Sequence, residues 1–401
     1  MEFYQISETQ LDWFSVIFML VYIPLFIPAT FSIDHYGLRS TLILGTFGNA
    51  LGAVIKYLAA LPDFCPKFWL AFSGQFIAAV SQLYVLTIPP ILAGTWFPSR
   101  QVSLATSLGV VANQLGAAVG FLVPAAFSDD LESLFLIGMI TCILVFVFTF
   151  LFLRNEPKFP PSQGQLERRI KSQTNNLESN SLTVKQHVNS CINISKSKNN
   201  LLLILSYGLN TGVYYSIATL LGKFVLHFDF AAGNENWIGF TMIVAGILGA
   251  FLAGAWLDRT KKYLKTTNFM IFCCLLSLIC YTAQPYLYKQ DGKMFFLTSF
   301  LTGFFMTGYL PVGFELGVEL TYPENEATVT GFLNASAQFF GVLLTLGLGE
   351  IMSLAGENSV LYANLVACVV IGLAACLSLM IREKLNRTEI NFKNILEELP
   401  K

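Results

Sequence analysis

Apolar stretches of about 20 residues recur eleven times along this 401-residue chain, and they limit what it can fold into. They lie near 13–33, 41–61, 68–92, 104–126, 134–153, 201–226, 236–257, 267–288, 294–319, 327–353 and 358–381. About 20 such residues carry an α-helix across a bilayer, where helices satisfy their own backbone hydrogen bonds. The composition is 54% hydrophobic and 12% charged, whereas a soluble domain is nearer a quarter charged. The expectation is an all-α membrane protein with about eleven transmembrane helices. Pro24, Pro28, Pro89 and Pro90 fall inside these stretches, where neighbouring helices can re-satisfy the backbone. A net charge of −1 gives no footprint for nucleic acid. Cys142, Cys273, Cys274, Cys280, Cys368 and Cys376 lie in apolar stretches and read as small hydrophobes, not as a disulfide framework. The first stretch follows Met1 without a basic n-region or a small-residue cleavage site, so no signal peptide is expected.

Residues 154–200 break the pattern, being rich in Asn, Ser, Lys and Gln. They read as a mobile linker with a short amphipathic helix around Leu166–Ile170. The expected organisation is a five-span bundle over 1–153, the linker over 154–200, a six-span bundle over 201–382 and a tail over 383–401. Taking alternate loops together, 19 of the 24 Lys and Arg fall on the side of the linker and tail, and three on the other. Positive charge stays on the cytoplasmic side, so linker and tail are expected in the cytoplasm and the N-terminus outside, with a plasma-membrane location. The sequons at Asn193, Asn334 and Asn386 then fall in linker, span and tail, where none is glycosylated.

The halves repeat. Asp34-His-Tyr-Gly-Leu-Arg39 and Asp258-Arg-Thr-Lys-Lys-Tyr263 are short turns with an Asp at a helix end, 224 residues apart. Asn113-Gln114-Leu-Gly116 and Ala337-Gln338-Phe-Phe-Gly341 place an amide inside a span, again 224 apart. Trp96-Phe-Pro98 and Thr321-Tyr-Pro323 lead into them at an offset of 225. Parallel repeats about an axis along the membrane normal are the architecture of the major facilitator transporters, built from six plus six helices. The Asp turn should follow the second helix of each half. Only one span precedes Asp34, so the first helix of the usual twelve is expected to be missing, and Met1 to be an internal methionine of a longer product.

Gln114 and Gln338 each lie about eleven residues into their span, roughly 16 Å deep at 1.5 Å per residue, near the midplane. Two readings are open: a substrate site between the halves, where a Gln offers a neutral group both donor and acceptor, or interhelical glue. In Tyr207-Gly-Leu-Asn-Thr-Gly-Val-Tyr-Tyr215, Thr211 and Gly212 are expected to weaken the helix just before Tyr214 and Tyr215. Those rings can hold a cation on their faces or simply pack. No Asp or Glu falls at the midplane. Glu315 and Glu319 sit in the last third of their span, either as functional carboxylates or as anchors for the basic cytoplasmic turns, and Asp34, Arg39, Asp258 and Arg259 form the gating turns. Lys56 and Lys223 lie near outer helix ends and are expected to snorkel. With only His35, His187 and His227, no P-loop lysine and no nucleophile elbow, the sequence points to no metal site, no cofactor and no enzyme.

Asp12-Trp13, Tyr22-Ile-Pro24, Pro28-Ala-Thr30, Asp34 and Gly37-Leu-Arg39 together resemble the feline leukaemia virus subgroup C receptor-related family. So do Asn113-Gln-Leu-Gly with Val119-Gly-Phe-Leu-Val-Pro124, and Phe305-Met-Thr-Gly-Tyr-Leu-Pro311 through Glu319-Leu-Thr-Tyr-Pro-Glu324 to Gln338. The resemblance spans nearly all the helices but not the linker or tail. It implies a major facilitator carrier of choline and ethanolamine, with haem export as a longer-standing proposal. It also implies that Tyr215, Gln114 and Gln338 hold the substrate; Tyr214 and Asn113, their neighbours in sequence, complete the candidate binding residues on the reading of the residues themselves. The family's first-helix tryptophan has no counterpart, and Phe3-Tyr4 resembles the segment just after that helix.

Three functions compete. Facilitated transport of choline or ethanolamine by alternating access fits the paired glutamines and the tyrosines. Haem export needs an axial His, Cys or Tyr, and none of the three His falls mid-span. A truncated, non-transporting variant is the third, motivated by the helix without a counterpart. Beyond the substrate, the expected partner is the lipid bilayer.

Overall fold

A computed structural model describes residues 7–61, 67–86, 88–98, 101–127, 130–159, 189, 192–194, 196–228, 233–287, 292–321, 326–354 and 356–382. The fold is all-helical over these residues. The Leu166–Ile170 segment, Phe3, Tyr4 and Asn386 lie outside them, as do the side chains of Asp34 and Asp258.

The first helix, α1 (Glu8–Ala60), opens on a capping box in which Ser7 Oγ accepts the Gln10 amide and Gln10 Oε1 accepts that of Ser7. It is two limbs, not one rod. Gly37 adopts φ 78°, and Thr41 Oγ1 lies 3.5 Å from the Ser32 carbonyl. Nine residues of straight helix would separate those groups by about 13 Å, so the chain folds back here, at a φ that glycine adopts without strain. The limbs carry the spans Gln10–Ala29 and Tyr36–Ala60.

Then come α2 (Lys67–Leu86) and α3 (Ile88–Trp96). Together they make the span Lys67–Ala93. It matches the single span expected near 68–92, and Pro89 and Pro90 lie inside it, where neighbouring helices can re-satisfy the backbone. Helix α4 (Val102–Ala126) is followed by α5 (Leu131–Phe152), opened by the Asp130 carboxylate accepting the Ser133 amide at 3.0 Å. That bond, at an exposed helix N-terminus, holds the Asp130 carboxyl below its usual range.

The second half contains α6 (Lys198–Leu226), α7 (Glu235–Thr260), α8 (Tyr263–Leu287), α9 (Gly292–Thr321), α10 (Glu326–Leu354) and α11 (Ser359–Leu379). Among the described residues, ten stretches are long and apolar enough to cross a membrane. Helix α4, with 25 residues, matches the remaining expected span, although its described apolar run is the shorter Val111–Pro124.

The chain divides into two compact units, one of Met1–Gly116 with Val123–His187, the other of Ala117–Leu122 with Val188–Lys401. The passage at His187–Val188 falls inside the stretch read as a linker. In the first unit, small residues let backbones touch: a Cβ on Gly52 would sit 2.6 Å from the Gly74 carbonyl of α2. Two glutamines of α2 stitch it to the first limb, Gln75 Nε2 donating to the Phe14 carbonyl at 2.9 Å and Gln82 Nε2 to that of Phe18 at 3.0 Å. The ammonium of Lys56 donates to Gln75 Oε1 at 3.0 Å, because α2 brings an acceptor within reach of its half-buried stem.

The second unit holds a larger core in which Tyr207, Tyr281, Tyr309, Phe224 and Phe295 are fully buried. Gly249 of α7 lies against the Phe304 carbonyl of α9, and Gly303 of α9 against the Met242 carbonyl of α7.

The 224-residue register is visible in the backbone. Gly37 and Lys261 are 224 apart, and both adopt positive φ, 78° and 51°. Phe18 and Met242 are also 224 apart, and both present their carbonyls to the next-but-one apolar span, at Gln82 and Gly303. Helix α5 packs on α1 as α11 packs on α8.

Candidate functional site

The described side chains among those named from sequence each have a definite place. Gln114 follows the start of α4 by twelve residues, and Gln338 follows the start of α10 by twelve, so both are mid-helix. Gln114 is half-buried on the face shared with Val111, Ala118 and Phe121, whereas Asn113 is exposed on a different face. Adjacent helix residues point about 100° apart, so the Asn113–Gln114 pair does not act as one group.

On α10, Gln338 is half-buried and its Oε1 is buried without a protein hydrogen-bond partner. Asn334, one turn earlier on the same face, is half-buried as well. The sequence reading treated Asn334 only as a sequon. Its four-residue spacing from Gln338 was the signal available.

Helices α6 and α10 run side by side in the same direction. Ser336 Oγ donates to the Ile204 carbonyl at 2.9 Å, Ser216 Oγ lies 3.3 Å from the Gly341 carbonyl, and Thr345 Oγ1 lies 3.1 Å from Ser216 Oγ. A Cβ on Gly212 would meet the Gly341 amide at 2.9 Å and the Phe340 backbone at the same distance. Gly212 therefore serves close packing. It does not weaken α6 as expected, since the helix runs unbroken from Lys198 to Leu226 with both neighbours holding it. In this register Gln338 sits between five and six residues below the level of Tyr215, about 8 Å along the axis.

Tyr214 and Tyr215 have ring centroids 5.8 Å apart but separate roles. Tyr214 is buried beside Thr307 of α9. Tyr215 is half-buried on the stripe it shares with Ala218, Thr219 and Gly222, so it is the more available of the two rings. Behind them, Tyr207 stacks at 5.5 Å from Tyr309 and 5.3 Å from Phe314. Asn210, fully buried, lies against the Cys274 thiol, its amide without a strong hydrogen bond. The hydroxyls of Thr211 and Tyr309 are likewise buried without an ideal partner.

The proposed gating residues divide. Arg39 fastens its turn to the end of α5: its amide donates to Asn155 Oδ1 at 2.8 Å and its guanidinium to the Phe150 carbonyl at 3.3 Å, a cation at a helix C-terminus. Arg259 is exposed in the last turn of α7. Glu315 is exposed, while Glu319 on the same helix is 2% exposed, so the two carboxylates do not share a setting. The described histidine, His227, closes α6 with its ring 5.2 Å from Phe228, away from the helix middles.

A family model described as Major Facilitator Superfamily matches residues 1–289 and 236–399. The chain belongs to the major facilitator superfamily. Within it, the chain is 35% identical over 403 residues to the choline/ethanolamine transporter FLVCR2 of Rattus norvegicus, covering 98% of this chain and 70% of that one. It is 36% identical over 414 residues to FLVCR2 of Homo sapiens, covering 100% and 75%. It is 38% identical over 402 residues to flvcr2b of Danio rerio, covering 98% and 79%. This superfamily member thus falls in the feline leukaemia virus subgroup C receptor-related family that its motifs resemble. Solved structures agree on the fold: a POT family transporter superposes with a TM-score of 0.70 at 16% identity, covering 95% of this chain and 90% of its own. The fucose:proton symporter FucP of E. coli gives 0.62 at 14% identity, covering 95% and 93%. The chain is accordingly an integral, multi-pass membrane transporter and not an enzyme.

Proposed function

We propose that this transporter carries a small amino alcohol, choline or ethanolamine, by alternating access, with Gln338, Gln114 and Tyr215 contacting the substrate. The observation that carries the reading is the Gln338 Oε1, a buried acceptor mid-helix without a protein donor. The substrate hydroxyl, or the primary ammonium of ethanolamine, supplies that donor, and a buried acceptor gains most when one arrives. Tyr215, about 8 Å further along the same helix pair, offers a ring face to the cationic end. Asn334 adds a second amide one turn from Gln338. The relatives named as choline/ethanolamine transporters support the substrate class. The 19-to-3 division of Lys and Arg supports a cytoplasmic linker and tail.

Uptake of labelled choline and ethanolamine by cells expressing this chain tests the reading. Gln338→Ala is expected to lower uptake about tenfold or more, from loss of a hydrogen bond to a charged or polar ligand worth roughly 1.5–3 kcal/mol. Gln114→Ala is expected to act in the same direction, and Asn113→Ala, on the other face of α4, to leave uptake near wild type. Unchanged uptake in both glutamine variants, at equal surface expression, overturns the site.

A further inference from the structure

A groove well formed in the second unit lies away from these residues. It has a volume of about 520 Å³ and lies at the end of α7 and the start of α8. Gly249, Leu252, Ala253, Trp256 and Thr260 form one wall, a single stripe of α7. Lys265, Thr266, Phe269 and Met270 of α8 form the other, and Phe304 and Phe305 of α9 form the floor. The groove exists because α7 and α8 each pack on α9 while making no broad contact with each other beyond the turn that joins them. Close approach of α7 to α9 at Gly249 sets the depth.

Two properties coincide here. The walls are apolar and open outward, with Trp256 and Phe269 each 62% exposed and Leu252 55% exposed, on helices that cross a membrane. One end is cationic: Lys262 and Lys265 line it, and Asp258 to Lys265 holds four basic residues against one acid. A trough with cations at its mouth matches an amphiphile with an anionic head. Basic pockets between helices at the membrane surface hold such headgroups, and each Lys or Arg near the surface contributes about 1 kcal/mol. A tryptophan at this level fits the aromatic belt of the interface. A free phosphate would have no use for the trough, and an uncharged lipid none for the lysines.

We propose that this groove binds one anionic glycerophospholipid of the adjoining leaflet, its phosphate between Lys262 and Lys265 and an acyl chain along Trp256, Phe269 and Phe305. The lipid bridges α7 and α8 at the turn where Lys261 holds the left-handed conformation.

The test is native mass spectrometry of the full chain released from micelles doped with phosphatidylserine, phosphatidylinositol or phosphatidylcholine. The expected result is a one-lipid adduct with the two anionic lipids, at least tenfold favoured over phosphatidylcholine. Lys262→Gln/Lys265→Gln is expected to abolish that preference, about a thirtyfold loss for two surface cations, while Lys262→Arg/Lys265→Arg keeps it. Leu252→Trp, which fills the trough without touching charge, is expected to weaken the adduct, and inorganic phosphate is not expected to compete. Equal binding of anionic and zwitterionic lipids overturns the proposal. So do an undiminished adduct in the glutamine pair, displacement by inorganic phosphate, or a protein dimer in place of the adduct.

Discussion

Gln75 shows how a single side chain gains its meaning from position. It accepts from the Lys56 ammonium and donates to the Phe14 carbonyl, so one amide joins both limbs of α1 to α2. A half-buried ammonium held by a neutral amide depends heavily on that amide. Gln75→Ala is expected to cost about 1.5–3 kcal/mol of stability, while Lys56→Met/Gln75→Leu recovers most of it, because the cation and its need for an acceptor go together. Thermal melting of the purified variants checks this; a double variant as unstable as the single one contradicts it. The charge of Lys56 was legible in the sequence, but its partner was not, since Gln75 is nineteen residues away on another helix. Gln114 and Gln338 were legible because two amides at one offset inside apolar stretches stand out against lipid. Asn334 was passed over because its face becomes meaningful only once Gln338 is known to share it.

At the scale of helices, glycine placement separates contacts that matter from those that do not. Gly303 meets the Met242 carbonyl of α7, whereas a Cβ on Gly254 would meet nothing within 4 Å. Gly303→Val is expected to destabilise the second unit by about 1–3 kcal/mol through overpacking. Gly254→Ala is expected to be neutral or stabilising, since alanine is the better helix former by up to about 1 kcal/mol. Melting temperatures measured by fluorescence-detected size exclusion compare the two, and an equal effect would refute the packing assignment. Helix existence was legible from the length of the apolar stretches. The fate of particular glycines was not: Gly212 looked like a weak point in α6 and is instead the seat of Phe340 and Gly341.

For the whole molecule, the asymmetry of charge carries a prediction of its own. Short basic turns resist translocation, so an epitope tag after Lys401 is expected to be reached by antibody only in permeabilised cells. A tag stained on intact cells would reverse the orientation. What the sequence determined by itself is the class of fold, because lipid admits few ways to bury a backbone and the length of each apolar stretch records the choice. It also determined the repeat, because equivalent turns and amides recur at a fixed offset whatever their surroundings. The tertiary structure alone decided which groups meet: the Lys56–Gln75–Phe14 chain, the level of Gln338 against Tyr215, and the groove where α7 and α8 part over α9. The physical reason is that in an apolar solvent hydrophobicity does not choose a helix's partner or its rotation. Close packing of small residues and a few hydrogen bonds between distant segments do, and those are properties of pairs of helices.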